Sequence, residues 1–248
     1  MALRVNEVAA QIHKRMCEDD RFGYSWEERH GASKETWRID GKDYSIAVGD
    51  YDCSSSTIDA WRDALQHTKY RGALDAATYT GNMRSVFVAS GLFEWKPMSF
   101  LAEPGDLYLR HDDATGDGHV AMCQTQVPDV LSEFSWGDNG AYGNKRGDQS
   151  GQEASVHAYY DGGWDGILHY NGKADGTSEK ETEKKSTYTP SGKSTLNGID
   201  IASHQEGIDV AKVEADFVIV KVSGGTSYMN PYWRQWANDV LKAGKLTT

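Results

Sequence analysis

A stretch without a single large aliphatic side chain divides this 248-residue chain into two parts. Residues 172–195 consist chiefly of Ser, Thr, Lys, Glu and Gly. Such a segment buries too little apolar surface to offset the entropy lost on folding, so we predict a flexible linker there. The sequence on either side contains enough apolar residues for a core. We therefore predict one domain over residues 1–171 and a second over residues 196–248.

Within the first part, the segment Tyr51-Asp52-Cys53-Ser54-Ser55-Ser56 precedes an amphipathic helix. Ile58, Trp61 and Leu65 follow at i, i+3 and i+7 spacing, and serine is favoured in a first helical turn. Cys53 is thus expected at the start of the helix, where unpaired N–H groups and the positive end of the dipole favour thiolate over thiol. This position makes Cys53 a candidate nucleophile.

A cysteine nucleophile needs a base, and His119 is the candidate. It lies in Gly118-His119-Val120, where a polar loop meets the apolar run 120–123, so we expect the ring to project from the start of a strand. On spacing alone, a cysteine and a histidine are more often ordinary core or surface residues. A further strand is predicted over residues 130–136.

Several motifs in this order resemble those of the NlpC-type cysteine peptidases: Asp-Cys-Ser-Ser opening a helix, Gly-His-Val opening a strand, and a later polar strand residue. The string from Tyr51 to Ser56, with Thr80-Gly81-Asn82-Met83 and Gly147-Asp148-Gln149-Ser150-Gly151, is similar to the amidase-type lytic domains of phage endolysins. The resemblance covers residues 1–171. It implies an α+β, papain-like fold in which the Cys53 helix packs on an antiparallel sheet.

The resemblance also implies a third catalytic residue, a polar side chain that orients the histidine ring. Placing Trp136-Gly137-Asp138-Asn139-Gly140 on the matching turn of the family assigns this role to Glu133. A carboxylate there would fix the tautomer of His119 and stabilise its protonated form. A shift of one residue would nominate Ser132, and an exposed strand glutamate without a catalytic role is the other interpretation.

Two residues next to Cys53 are candidates for contact with substrate. The backbone N–H of Cys53, with a side chain from the neighbourhood of Tyr51 or Asp52, is expected to bind the oxyanion. The Asp52 carboxylate would oppose a negative oxygen, so capping of the helix is the more plausible role for its side chain.

The resemblance implies a peptidoglycan hydrolase that forms an acyl-enzyme on Cys53. The endolysin motifs favour the bond between N-acetylmuramic acid and L-alanine, whereas the wider superfamily often cuts a D-γ-glutamyl bond of the stem peptide. Acyltransferases share the fold and the catalytic groups, and a non-catalytic wall-binding module is a third alternative.

The second part begins with a strand and helix pattern typical of a parallel barrel. Gly198-Ile199-Asp200-Ile201-Ala202 and Lys221-Val222-Ser223-Gly224-Gly225 resemble motifs of the glycoside hydrolase family 25 muramidases. That match implies an active-site carboxylate at Asp200. A (β/α) barrel needs about 200 residues or more, and the chain stops at Thr248. We therefore expect an incomplete barrel without muramidase activity here, and a longer full gene product.

The remaining composition limits partners and cofactors. A net charge of −11 argues against nucleic acid, and no apolar run is long enough to span a membrane. The N-terminus lacks a secretory signal, so we expect synthesis in the host cytoplasm and holin-dependent release to the wall. Three cysteines suit neither a disulfide framework nor a zinc site. We expect peptidoglycan as the partner, a monomer, and no cofactor.

The acidic loop 111–118 matches the start of a calcium loop at Asp113, Thr115 and Asp117. Position twelve, however, would be Gln124 instead of the bidentate glutamate. We interpret the loop as the tip of a hairpin and expect no metal.

Overall fold

Contacts between Cα atoms divide the chain into two units, Met1–Lys180 and Glu181–Thr248. The structure is a computed structural model and describes residues 2–126, 129–135, 153–175, 197–224 and 228–247. None of the helices among these described residues combines the length and the apolar composition needed to cross a membrane.

The first unit is an α+β structure built on one antiparallel sheet. Its helices are α1 (Val5–Cys17), α2 (Cys53–Ala64) and α3 (Thr80–Ala89), and a separate hairpin is formed by β1 (Ser33–Ile39) and β2 (Lys42–Val48). The sheet contains β3 (Phe93–Lys96), β4 (Leu107–His111), β5 (Gly118–Thr125), β6 (Val130–Phe134), β7 (Ala154–Ala158) and β8 (Gly166–Tyr170). Its strand order is β3-β8-β4-β5-β6-β7.

Strand alternation gives the sheet two apolar faces. Val120 and Met122 of β5 pack with the three helices in the larger core, whereas Ala121 and Cys123 belong to a smaller cluster around Trp164. Among the described residues, β5 pairs with β6 only from Thr125 to Met122. In that part of the chain, the start of β5 before Met122 has ladder partners only in β4.

The tip of the β4–β5 hairpin is the acidic loop 111–118, as expected from the sequence. His111 pairs with Gly118 at the last step of the ladder, and the Asp112 N–H donates to the Asp117 carbonyl at 2.8 Å. No cluster of His, Cys, Asp or Glu in the described part of the chain is arranged to hold a metal ion.

The charge and glycine content of residues 19–49 predicts a long ordered loop, and this prediction is wrong for the second half of the segment. The β1–β2 hairpin occupies it, with alternate side chains buried: Trp37, Ile39, Tyr44, Ile46 and Val48. Asp40 and Gly41 form its turn with positive φ angles of 45° and 76°, which suit the right-handed twist of a tight hairpin. The Asp-Gly pair was a signal for this turn that the frequent charges between the apolar residues obscured.

The first residues of the predicted linker contact the first unit. Lys173–Asp175 form a turn of 3₁₀ helix, and the Val5 N–H donates to the Asp175 carboxylate at 2.6 Å. Ala174 packs against the larger core. The first unit thus extends at least to residue 175, and the predicted linker from 176 onward lies outside the described residues.

The second unit has a core of its own. It contains β9 (Gly198–Ile201), β10 (Phe217–Val220), the short pair β11 (Ser223–Gly224) and β12 (Tyr228–Met229), α4 (Trp233–Lys242) and β13 (Leu246–Thr247). Strands β13, β10 and β9 form a parallel sheet in that order, and α4 connects two neighbouring strands. Trp233, Trp236 and Val240 of α4 are buried with apolar residues of the sheet.

Candidate active site

Helix α2 begins at Cys53, whose sulfur lies beside the start of β5. Asp52 caps the helix, because its carboxylate accepts hydrogen bonds from the Ser55 N–H at 2.6 Å and the Ser54 hydroxyl at 2.9 Å. The Val120 N–H points toward the Cys53 sulfur and would donate to its thiolate, as would the Ser54 N–H. The nucleophile candidate therefore lies beside the residue that follows His119.

The expectation that Cys53 rests as a thiolate was wrong. Its side chain is 8% exposed, and burial together with the Asp52 charge raises the pKa of the Cys53 thiol to about 12. The Val120 and Ser54 N–H groups lower that pKa but do not outweigh burial. The helix dipole argument failed because it omitted the cost of placing a charge in a desolvated position. Burial thus favours the Cys53 thiol over its thiolate, so a nucleophilic role for Cys53 requires a base that takes its proton.

His119 of β5 and Glu133 of β6 form a direct pair. The His119 Nε2 atom lies 2.9 Å from Oε2 of Glu133, and the imidazole stacks on Trp164 at a centroid distance of 5.7 Å and an interplanar angle of 22°. Because a carboxylate only accepts, Nε2 must carry a hydrogen. The other ring nitrogen, Nδ1, is then the basic atom of a neutral ring.

Glu133 is held by more donors than sequence analysis anticipated. Nε2 of His157 lies 3.2 Å from its Oε1, and the Tyr160 hydroxyl donates to its Oε2 at 2.9 Å. Burial raises the pKa of Glu133, but the hydrogen bonds from the two histidines and Tyr160 outweigh it and bring the pKa to about 2. The group is therefore a carboxylate throughout the physiological range.

Ser132, the alternative third residue, points to the opposite face of β6. Its hydroxyl oxygen lies 2.6 Å from Nδ1 of His13 and accepts from the Gln124 amide at 2.7 Å. His13 also contacts the Ser56 hydroxyl at 3.1 Å. Ser132 belongs to this buried network between α1, α2 and the sheet, whereas His119 contacts Glu133.

Tyr51 and Asp52, which were predicted to contact substrate, have other partners. Tyr51 is fully buried, its hydroxyl donates to the Ala47 carbonyl at 2.6 Å, and its ring stacks on Phe22. Its substrate role was a wrong prediction, because a side chain without exposed surface cannot reach a ligand. Asp52 is committed to the helix cap and to an ion pair with Arg29.

Arg29 is a residue of the site that sequence analysis missed. Its Nε lies 2.7 Å from Oδ2 of Asp52, and its Nη2 donates to the Ser54 hydroxyl at 3.0 Å and to the Thr78 carbonyl. The guanidinium thus offsets the charge that Asp52 places next to the thiol. It stands within a run of charged residues, where no local pattern distinguishes it.

Asp200 lies in the second unit, in β9, and is exposed. It pairs with Ile219 of β10 in the parallel ladder. The turn 136–140 and the polar loop 147–151, which sequence analysis used for the resemblance, lie outside the described residues.

Comparison with known proteins gives one match. A family model described as an endolysin-like domain matches residues 2–127, which is just over half of the chain. The match includes Cys53 and His119 and ends before Glu133. No curated protein and no solved structure matches the chain.

Proposed function

Because the chain belongs to the endolysin-like domain family, we propose that it cleaves an amide bond of peptidoglycan with Cys53 as the nucleophile. Membership in this family indicates a phage hydrolase that acts on the bacterial cell wall after release from the cell. Holin-dependent release, and an NlpC-type, papain-like fold for the first unit, are part of the proposal.

The observation that carries the proposal is the arrangement of three groups at the start of β5. The Cys53 sulfur faces the N–H of Val120, and His119 is the residue immediately before Val120. Glu133 contacts the His119 imidazole at 2.9 Å. A thiol, a base and a carboxylate that fixes the base are what nucleophilic amide hydrolysis requires.

In the proposed reaction, Nδ1 of His119 takes the thiol proton while the Cys53 sulfur bonds to the carbonyl carbon and the carbonyl electron pair moves to oxygen. The oxyanion is placed at the start of α2, where the Cys53 N–H is one of the donors that a helix leaves unpaired. Its collapse breaks the C–N bond, and His119 gives the proton to the leaving amine. His119 then activates water, which releases the acyl group and restores the thiol.

The bond we propose is the one between N-acetylmuramic acid and L-alanine, and cleavage of a D-γ-glutamyl bond in the stem peptide is the alternative. Release of amino groups from purified Gram-positive walls, with product ends identified by mass, separates the two. New amino termini on L-alanine would identify the amidase reaction. New termini on the residue after D-glutamate would identify the endopeptidase, and transfer to an added amine would identify an acyltransferase.

The matched variants are Cys53→Ala and Cys123→Ala. Both remove a buried cysteine, but Cys123 lies on the other face of the sheet, in the smaller cluster. We expect amino-group release to fall by at least about 1,000-fold in Cys53→Ala, because the nucleophile is lost. Cys123→Ala should keep release close to wild type. No release by wild type would contradict the proposal and favour a binding module. Unchanged release by Cys53→Ala would also contradict it and would mean that another group is the nucleophile.

The second unit enters the proposal through its resemblance to the family 25 muramidases, with Asp200 as an active-site carboxylate. The parallel β9–β10–β13 sheet connected by α4 supports this resemblance. Reducing-sugar release, measured on the same walls, tests it independently of Cys53. We expect no release from this chain, because glycoside cleavage requires an acid together with a second carboxyl group or the substrate's own acetamide, and the resemblance assigns only Asp200.

A further inference from the structure

We propose that His157 is a positively charged positioning residue, which limits how strongly Glu133 stabilises a proton on His119. The inference deepens the proposed function and rests on it for the roles of Cys53 and His119. It assigns a role to His157, which lies outside both the endolysin-like match to residues 2–127 and the sequence motifs.

The hydrogen bonds of His157 determine its charge. Its Nδ1 lies 2.8 Å from the Ala158 carbonyl oxygen, and its Nε2 lies 3.2 Å from Oε1 of Glu133. A carbonyl and a carboxylate only accept hydrogen bonds, so both ring nitrogens must donate. Only the doubly protonated imidazolium has two N–H groups. The Glu133 contact raises the pKa of His157, and partial burial lowers it less.

Glu133 is thereby shared between two imidazole rings. His119 and Tyr160 contact Oε2, and His157 contacts Oε1, while the Glu133 side chain is only 8% exposed. A carboxylate with one ring partner would strongly favour a proton on His119. The charge of His157 on the other oxygen offsets part of this effect.

This balance matters because His119 must be neutral before the reaction. A protonated ring cannot take the proton of the Cys53 thiol, which burial favours over the thiolate. Glu133 is still needed to orient the ring and to stabilise the imidazolium that forms during attack. Because of the charge of His157, the Glu133 carboxylate can orient the His119 ring and stabilise its imidazolium during attack without holding a proton on the ring before the reaction.

The surroundings of the pair contain few other charges among the described residues. Tyr160 faces the His157 ring at a centroid distance of 5.6 Å, and Arg110 of β4 and Cys53 of α2 act on the Tyr160 hydroxyl. Asp117 at the hairpin tip interacts electrostatically with His119. Within the described part of the chain, only Glu133 forms an ion pair with His157.

The test compares His157→Gln with His157→Arg, because the first keeps a neutral donor and the second keeps the charge. Iodoacetamide alkylation of Cys53, read by mass for that residue, is measured from pH 5 to 9 in the full chain. In His157→Gln, the acidic limb of the alkylation rate plotted against pH should move to higher pH by about 0.5–1 pH unit, because Glu133 then stabilises a proton on His119 more strongly. In His157→Arg, the limb should stay near that of wild type.

His67→Gln is the matched control, since it makes the same exchange at an exposed contact to the Asp43 carbonyl. Its alkylation profile should coincide with wild type. A His157→Gln profile that coincides with wild type would overturn the inference. An equal shift in His157→Gln and His157→Arg would also overturn it, because the effect would then follow loss of the ring and not of the charge.

Nitrogen NMR of the wild-type chain provides a measurement that needs no variant to fold. We expect both His157 nitrogens to be protonated at pH 6.5, and a neutral tautomer there would overturn the inference. Neither arm uses peptidoglycan. Failure of wall hydrolysis would therefore reject the proposed function alone, whereas coincident alkylation profiles would reject the role of His157 alone.

Discussion

At the scale of single residues, Arg29 controls how much negative charge the Cys53 thiol meets. Asp52 raises the pKa of that thiol, and the Arg29 guanidinium lies 2.7 Å from the Asp52 carboxylate. In Arg29→Gln the carboxylate loses its counter-charge, so the thiol becomes harder to ionise. We expect iodoacetamide alkylation of Cys53 at pH 8 to slow by about 3- to 10-fold.

The matched control for this change is Arg38→Gln. Arg38 also pairs with an aspartate, Asp43 at 2.9 Å, but its side chain is 69% exposed, in the β1–β2 hairpin. Its alkylation rate should equal that of wild type. An Arg29→Gln protein that reacts as fast as wild type would show that Asp52 does not act on the thiol.

The sequence identified candidate residues only where a local pattern marked them. Cys53 and His119 each occupy a helix or strand start, and the structure places Cys53 beside Val120 and His119 against Glu133. Arg29 and His157 carry no such mark, since each is positioned by an element distant in the sequence. The charge state of Cys53 was mispredicted because burial is a tertiary property.

At the scale of elements, the start of β5 depends on Gly118. A Cβ atom there would lie 2.1 Å from the Thr80 Oγ1 and 2.8 Å from the His111 Nδ1, so α3 and β4 leave no room for it. We expect Gly118→Ala to destabilise the first unit by about 1–3 kcal/mol and to displace His119, the next residue. Thermal unfolding measures the first effect, and loss of Cys53 alkylation at pH 7 measures the second.

Gly116→Ala distinguishes crowding from a general effect on the hairpin. Gly116 has a φ of 74°, but no atom lies within 4 Å of an added Cβ. The loss of stability in Gly116→Ala should therefore come from backbone strain alone. Alkylation of Cys53 should persist in this variant. If both variants lost alkylation equally, the tight packing around Gly118 would not be what positions His119.

Element boundaries followed from the sequence where the periodicity was strong. The apolar spacing of Val5, Val8, Ile12 and Met16 predicts a first helix, and Thr80-Gly81-Asn82-Met83 predicts the start of a further helix after the one at Cys53. All three are confirmed, as α1, α3 and α2. The short strand β3 and the order of the sheet were not predicted. Strand β8, late in the unit, inserts between β3 and β4, and this non-local pairing has no signature in any window of sequence.

At the scale of the whole molecule, two buried groups of the first unit give its stability opposite dependences on pH. Burial lowers the pKa of His13 to about 3, and burial raises the pKa of Asp63 to about 7. Below pH 6.5 the unfolded chain protonates His13 and the folded one does not, so this contribution to stability is lost as pH falls. Asp63 takes up a proton in the folded state first, so its contribution grows as pH falls from 7.

We therefore predict that the pH-dependent contributions of His13 and Asp63 to stability nearly cancel in the wild-type chain between pH 6.5 and 5. Variants that lack one of the two groups should reveal the contribution of the other. Relative to wild type, His13→Gln should gain about 2 kcal/mol of stability over this fall in pH, and Asp63→Asn should lose about 2 kcal/mol. Urea unfolding, read by hydrogen-exchange protection of β5 amides, reports the first unit alone. Each variant is compared with wild type at the same pH, so other titrating groups cancel. Stability curves of the variants that run parallel to wild type would mean that neither group titrates differently in the folded and unfolded chains. If both variants gained stability, or both lost it, as the pH falls, the two groups would not have opposite effects.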